Sequence, residues 1–101
     1  MSMYVELLTR ALAEWPNEIR DDTLVEYARN CRREMVRTSS RRQKGAYAAL
    51  AAEIAYDRAL VKLCLANDVV VEPDDFSHPE KERRELEERL AQRGLDLVGA
   101  L

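Results

Sequence analysis

One histidine, three glycines, three prolines and two cysteines are all that this 101-residue chain holds of the residues that build catalytic loops, metal centres and disulfide frameworks. Each scarcity closes off a class of function. The single histidine, His78, stands before Pro79 at an expected helix start, where a capping or surface role outweighs catalysis. Cys31, Cys64 and His78 are too few and too scattered for a zinc site, and three glycines make no phosphate-cradling loop. No cofactor, no metal and no enzymatic activity are therefore expected. Long apolar runs are missing too. The longest stretch without a charge is Gly45–Ala52, eight residues, against the roughly 20 that a bilayer-spanning helix needs, so no membrane partner is expected. The opening Met1-Ser2-Met3-Tyr4 has no basic region, and no cleaved signal peptide is expected. Both cysteines fall on apolar helical positions and read as free thiols of a reducing cytoplasm.

Charge, in contrast, is plentiful. Charged residues make up 35% of the chain and apolar residues 47%, the balance of a folded rather than a disordered chain. The length fits one domain that buries about 60–70% of its unfolded surface. The net charge of −3 is unevenly spread. From Arg29 to Lys44 lie seven cations (Arg29, Arg32, Arg33, Arg37, Arg41, Arg42 and Lys44) against Glu34 alone, leaving the stretch at +6 and the remainder at −9. Clustered guanidinium forks suit phosphates and carboxylates. The segment Asp68–Glu88, with nine acids and three bases, is the obvious internal counter-charge. The basic stretch is thus read as self-neutralised, as bound to nucleic acid, or as bound to an acidic protein.

Hydrophobic spacing organises the chain into helices. Tyr4, Leu7, Leu8, Ala11, Leu12 and Trp15 form one stripe over about 3–14, and Pro16 ends that helix. Thr23-Leu24-Val25-Glu26 matches a capping box and opens a second helix over about 23–37, with Leu24, Tyr27, Ala28, Cys31 and Met35 inward. Ser40-Arg41-Arg42-Gln43 is a second such match, starting a long third helix over about 41–66. That helix is apolar almost all round, so it is expected to be buried on more than one side. Val69-Val70-Val71 reads as a packed connector, and Pro73-Asp74-Asp75 as a turn or flexible linker. Ser77-His78-Pro79-Glu80 is a third capping match, opening a charged helix over about 78–93 that Gly94 closes in a left-handed cap. Within this helix Leu86, Leu90 and Ala91 are a thin apolar seam, so it is expected to dock by one edge or to project.

The expected fold is all-α, a small helical bundle with a three-helix core, a long central third helix and a charged fourth. Residues 1–72 are read as the helical core domain. Residues 73–101 are read as an acidic linker, charged helix and apolar tail, packed on the core or projecting from it. The third helix offers a seam of Ala48, Ala52, Ala55 and Ala59 beside Tyr56, Leu60 and Leu63. A second copy of the chain would cover that seam as a homodimer, unless the first two helices and the C-terminal tail suffice. Glu53 and Asp57 stand one turn apart on the same helix. Di-metal bundles pair such carboxylates with a Glu-x-x-His, which is absent here, so a salt bridge to arginines such as Arg29 or Arg33 is expected instead.

Function rests on the corner between the second and third helices, where Arg29, Arg32, Arg33, Arg37, Ser40, Arg41, Arg42 and Lys44 gather. The favoured expectation is a non-catalytic cytoplasmic interaction or regulatory protein that engages a protein partner through this corner or through the fourth helix. The rival is a nucleic-acid-associated regulator, antitoxin-like in organisation, gripping the backbone. A groove-reading helix-turn-helix fits poorly, because the third helix turns apolar and leaves only Arg42 and Gln43 to read bases.

Overall fold

The computed structural model describes residues 2–15, 23–39 and 46–98, and among them every regular element is helical. Four α-helices follow one another: α1 (Met3–Ala13), α2 (Leu24–Ser39), α3 (Ala46–Ala66) and α4 (Pro79–Gln92), with a short 3-10 turn at Pro73–Ser77 before the last. The protein is a small all-α bundle with a radius of gyration of 12.9 Å. No helix among the described residues is long and apolar enough to cross a membrane. The expected start of the third helix, including the Ser40 capping box, lies outside the described residues.

Each helix begins and ends for a local reason. The Ser2 hydroxyl accepts from the Val5 N–H at 3.4 Å and caps α1, a start signal with no counterpart in the apolar spacing. α3 ends in a Schellman arrangement. The Val69 N–H reaches back to the Cys64 carbonyl at 2.8 Å and the Asp68 N–H to Leu65 at 3.4 Å, with Asp68 in the left-handed region at φ 61°. The neighbouring Asn67 donates its side-chain amide to the Leu63 carbonyl at 2.8 Å. α4 closes the same way around Gly94 at φ 86°, with Leu95 bonded to Leu90 at 2.9 Å and Gly94 to Ala91 at 3.0 Å. Both closures satisfy carbonyls that a helix end otherwise leaves free.

The Ser77 capping box does not form. His78 is the N-cap of α4 and makes no side-chain cap bond, with Pro79 in the first turn. The reciprocal bond sits one element earlier, where the Glu72 N–H donates to the Asp75 carboxylate at 3.1 Å. It shapes the 3-10 turn, so of the two readings of this segment, a turn or a flexible linker, the structure has the turn. That turn carries Phe76, fully buried in the core where the turn packs on α1 and α4. The valine connector alternates, Val69 and Val71 buried and Val70 exposed, as a packed extended segment should.

α3 is the central element. Along its second half Tyr56, Asp57, Ala59, Leu60, Val61, Leu63 and Cys64 are all buried. The other helices meet it with narrower stripes: Leu8 from α1, Leu24, Ala28 and Met35 from α2, and Leu86 and Leu90 from α4. Arg83, Leu86, Glu87 and Leu90 occupy positions i, i+3, i+4 and i+7, and all four are buried. The docked face of α4 is therefore half charged. Leu95 and Leu97 continue it, packing on the same core.

Candidate functional site

The charged half of that face meets its partners in two clusters. Arg83 holds Asp57 with two parallel bonds, Nε to Oδ1 at 2.7 Å and Nη2 to Oδ2 at 2.8 Å, and its Nη2 also reaches Glu53 at 3.2 Å. The Tyr4 hydroxyl of α1 donates to the same Asp57 carboxylate. One step along α3, the Tyr56 hydroxyl donates to Glu87, which also accepts from Arg32 Nε of α2 at 2.9 Å. All four helices are thus joined through two carboxylates. Glu53 and Asp57 find an arginine, as their spacing suggested, but it is Arg83 of α4 and not Arg29 or Arg33.

The electrostatics follow from burial. Desolvation works against the Arg83 charge, yet the hydrogen bonds and charge of Asp57 outweigh it and raise the guanidinium above its usual range. Burial is also the largest influence on Asp57 and raises its carboxyl against the pull of Arg83. Tyr4 and Tyr56 are both pushed up, first by burial and then by the carboxylates they face. A bidentate arginine–carboxylate pair fixes geometry as well as charge. Removing one member leaves the other buried and unpaired, at a cost of about 3–5 kcal/mol. This assembly is structural cement whose parts are already used.

Against this background the arginine corner is less free than its sequence suggests. Arg32 is spent on Glu87. Arg29 is half-buried, and its Nη2 donates to the Asp96 carbonyl at 3.2 Å. Arg33 bonds Asn30 and lies 3.7 Å from Glu26, and Arg37 forks onto Glu34 within the same helix. Only these last two are well exposed, at 64% and 57% of their side chains. Ser40, Arg41, Arg42 and Lys44 lie outside the described residues. Among the described residues the acidic segment supplies one counter-charge to the stretch, Glu87 to Arg32; Arg33 and Arg37 are met within α2 and Arg29 by the Asp96 carbonyl.

The expected self-association seam divides. Ala52, Tyr56, Ala59, Leu60 and Leu63 are buried in the chain's own core, so they are not available to a second copy. The physical reason is that α4, expected to dock by one edge or to project, covers that side with Leu86 and Leu90 and with Arg83 and Glu87 bonded to α3. Ala48 is exposed and Ala55 half-buried, and Ala55 borders the other face of α3.

That other face is open. Leu7 and Ala11 of α1 and Tyr47, Leu50, Ala51, Ile54, Ala55 and Arg58 of α3 line a groove of about 290 Å³. Tyr47 at its rim is 86% exposed. Arg58 closes one end, donating to the Tyr27 hydroxyl at 3.1 Å and the Ala11 carbonyl at 3.4 Å. Its guanidinium carbon sits 5.2 Å from the centre of the Trp15 ring, and Lys62 Nζ sits 5.6 Å from it. Trp15 in turn meets Tyr27 edge to face at 5.8 Å. None of the groove residues was singled out for function from the sequence except Ala55. The available signal was an α3 whose first half is apolar on more sides than α1 and α2 cover.

A second cleft, of about 560 Å³, opens at the start of α4 between Glu53, Ser77, His78, Lys81 and Arg84. There the Ser77 hydroxyl and His78 Nδ1 lie 3.3 Å apart, both residues exposed. Cys64 is buried and Cys31 half-buried, both free. Burial raises both thiols, that of Cys64 to about 12. Among the described residues no three of His, Cys, Asp or Glu gather where they would hold a metal ion. Compared with family models, with curated proteins and with solved structures, the chain finds no match.

Proposed function

We propose that this chain is a non-catalytic helical interaction module that engages a protein partner through the open α1–α3 face. The observation that carries the reading is the asymmetry of α3. On one side its side chains are consumed by the Arg83 and Glu87 clusters, while on the other Leu50, Ile54 and Tyr47 border an uncovered groove. Apolar surface left in contact with water is costly by about 25 cal/mol per Å², and a partner that covered Leu50, Ile54 and Tyr47 would recover that cost. The interacting surface in this reading is neither the arginine corner nor the exposed face of α4, whose inner face is already engaged.

A photo-crosslinking residue placed at Ala51, at Arg37 or at Glu88 in cells that make the protein separates the surfaces. The expected result is a discrete protein adduct from position 51 alone, lost when Ile54→Glu is added. Adducts from position 37 or 88 that ignore Ile54→Glu move the contact to the corner or to α4.

A second reading keeps the corner as a polyanion site, supported by the exposure of Arg33 and Arg37 beside a sequence that continues with Arg41, Arg42 and Lys44. Five phosphate contacts would weaken duplex binding by roughly 10²–10³-fold between about 50 and 200 mM salt. Fluorescence anisotropy of labelled duplex DNA and structured RNA reads that slope directly. Absence of binding at the lower salt removes this second reading.

A further inference from the structure

The groove carries an unanswered charge. Arg29 of α2 donates to the Asp96 carbonyl and keeps a buried Nε with no described partner, while on the opposite side of α3 the buried Arg83 and the half-buried Arg32 each meet a carboxylate, Asp57 and Glu87. Arg58, half-buried at the end of the groove, does not. Its hydrogen bonds go to two neutral oxygens, those of Tyr27 and Ala11, and its Nε is buried with no partner. Among the described residues neither Arg58 nor Lys62 lies within ion-pair distance of a carboxylate. Both cations lie over the ring of one indole, Trp15. Cation–π contact helps to hold them there, but it supplies no counter-ion. An apolar trough that ends in a guanidinium with no carboxylate partner among the described residues is complementary to a ligand that is apolar along its length and anionic at one end.

The dimensions point to a helix. Tyr47 and Arg58 are eleven positions apart on α3, about 16 Å or three helical turns. The floor is made of small side chains, Ala11, Ala51 and Ala55, which let another helix approach while Leu7, Leu50 and Ile54 give it ridges to lie between. We infer that the groove receives an amphipathic helix of a partner protein, about three turns long, with a carboxylate at the end that meets Arg58. This inference rests on the proposed interaction role of the same face and adds the chemistry of the partner. A second copy of the chain, an anionic acyl chain and nucleic acid are the other occupants that the test below exposes.

The probe is a helix-stapled 15-residue synthetic peptide with leucines at i, i+3, i+7 and i+10 and two glutamates in one terminal turn. A companion carries glutamine in place of the glutamates, and both are made with the charged turn at either end. Trp15 is the only tryptophan of the chain and reports occupancy next to Arg58, while anisotropy of the labelled peptide gives affinity. One glutamate peptide should bind about 10-fold or more tighter than its glutamine companion, the range expected for a hydrogen bond between charged partners. Arg58→Met should erase that preference and leave the glutamine peptide's affinity unchanged, with Arg58→Lys in between, while Ile54→Glu should abolish binding of both. Equal affinity of the two peptides for the unaltered protein overturns the acidic-helix assignment while leaving the groove as an apolar contact. Failure of every peptide to bind overturns the groove reading itself. The unaltered protein decides between these, so the outcome does not hinge on how well the Arg58 variants fold. Tighter binding of dodecanoate than of any peptide, or concentration-dependent dimers in sedimentation that Ile54→Glu dissociates, also overturns the assignment in favour of that occupant.

Discussion

The two sides of α3 bury or expose their surface by opposite chemistry. Toward α4 the interface is closed by arginines, carboxylates and tyrosine hydroxyls, each supplied with a partner. Toward α1 the first half of the helix is almost purely apolar, and it is the side left open. Polarity alone would have assigned these the other way round. A charged side chain can seal an interface when its counterpart stands at the right turn of the facing helix. An apolar surface stays uncovered when no other described element of the chain reaches it.

The most direct way to break the closed side is to remove one member of its central pair. Arg83→Ala leaves Asp57 buried with Tyr4 alone, and Asp57→Ala leaves Arg83 with Glu53 as its one described carboxylate. Either should cost about 3–5 kcal/mol, read as a fall in the denaturant midpoint at an unchanged slope if α4 unfolds with the rest. The double variant Asp57→Leu with Arg83→Met should recover much of the loss, because an apolar replacement leaves no orphaned charge.

Alkali should attack the same side next. The folded protein holds the Tyr4 and Tyr56 hydroxyls and the Cys64 thiol above their ordinary ranges, mainly through burial. A raised pKa means that the folded state keeps protons the unfolded chain releases. Stability is therefore full below the ordinary thiol and phenol values, about 8.5 and 10, and declines as pH rises beyond them. Tm measured in steps from pH 8 to 12 should fall steadily from about pH 9 upward. A Cys64→Ala variant should decline less steeply through the thiol range, where Cys31, also raised by burial, still contributes.

Two smaller changes sharpen the contrast. Asp68 is the one described residue other than glycine with positive φ, and Asp68→Gly should stabilise the α3 end by about 0.5–1 kcal/mol, since glycine takes that conformation without a Cβ penalty. Tyr47→Ser on the open side should change stability by no more than about 0.5 kcal/mol, or a few degrees in Tm for a chain of this size. A large loss at Tyr47 would mean that the open side is packed after all.

Much of the bundle was legible in the sequence. The spacing of Tyr4 to Trp15, the inward stripe of α2 and the Gly94 closure carry local signals that tertiary packing did not override. What escaped did so for definable reasons. Arg83 and Glu87 lie on the same stripe as Leu86 and Leu90, but a pattern that counts apolar residues assigns charged ones to solvent. Phe76 stands alone in an acidic run with no periodicity around it, so nothing marked it as core. The choice between the two faces of α3 was not local at all. Both are apolar, and it was settled by where Asp57 and Tyr56 meet the side chains of α4. The open groove, Arg58 included, became visible only once that choice was known.

Thiol labelling of a Tyr47→Cys variant, compared with native Cys64 in the same molecule, tests the two-sided picture of α3 most directly. Position 47 should react at the rate of a free thiol, unchanged across protein concentration, while Cys64, fully buried, reacts only as fast as the chain unfolds. Protection at position 47, or protection that grows with concentration, would contradict an open face awaiting a partner. Ready labelling of Cys64 would contradict the sealed one.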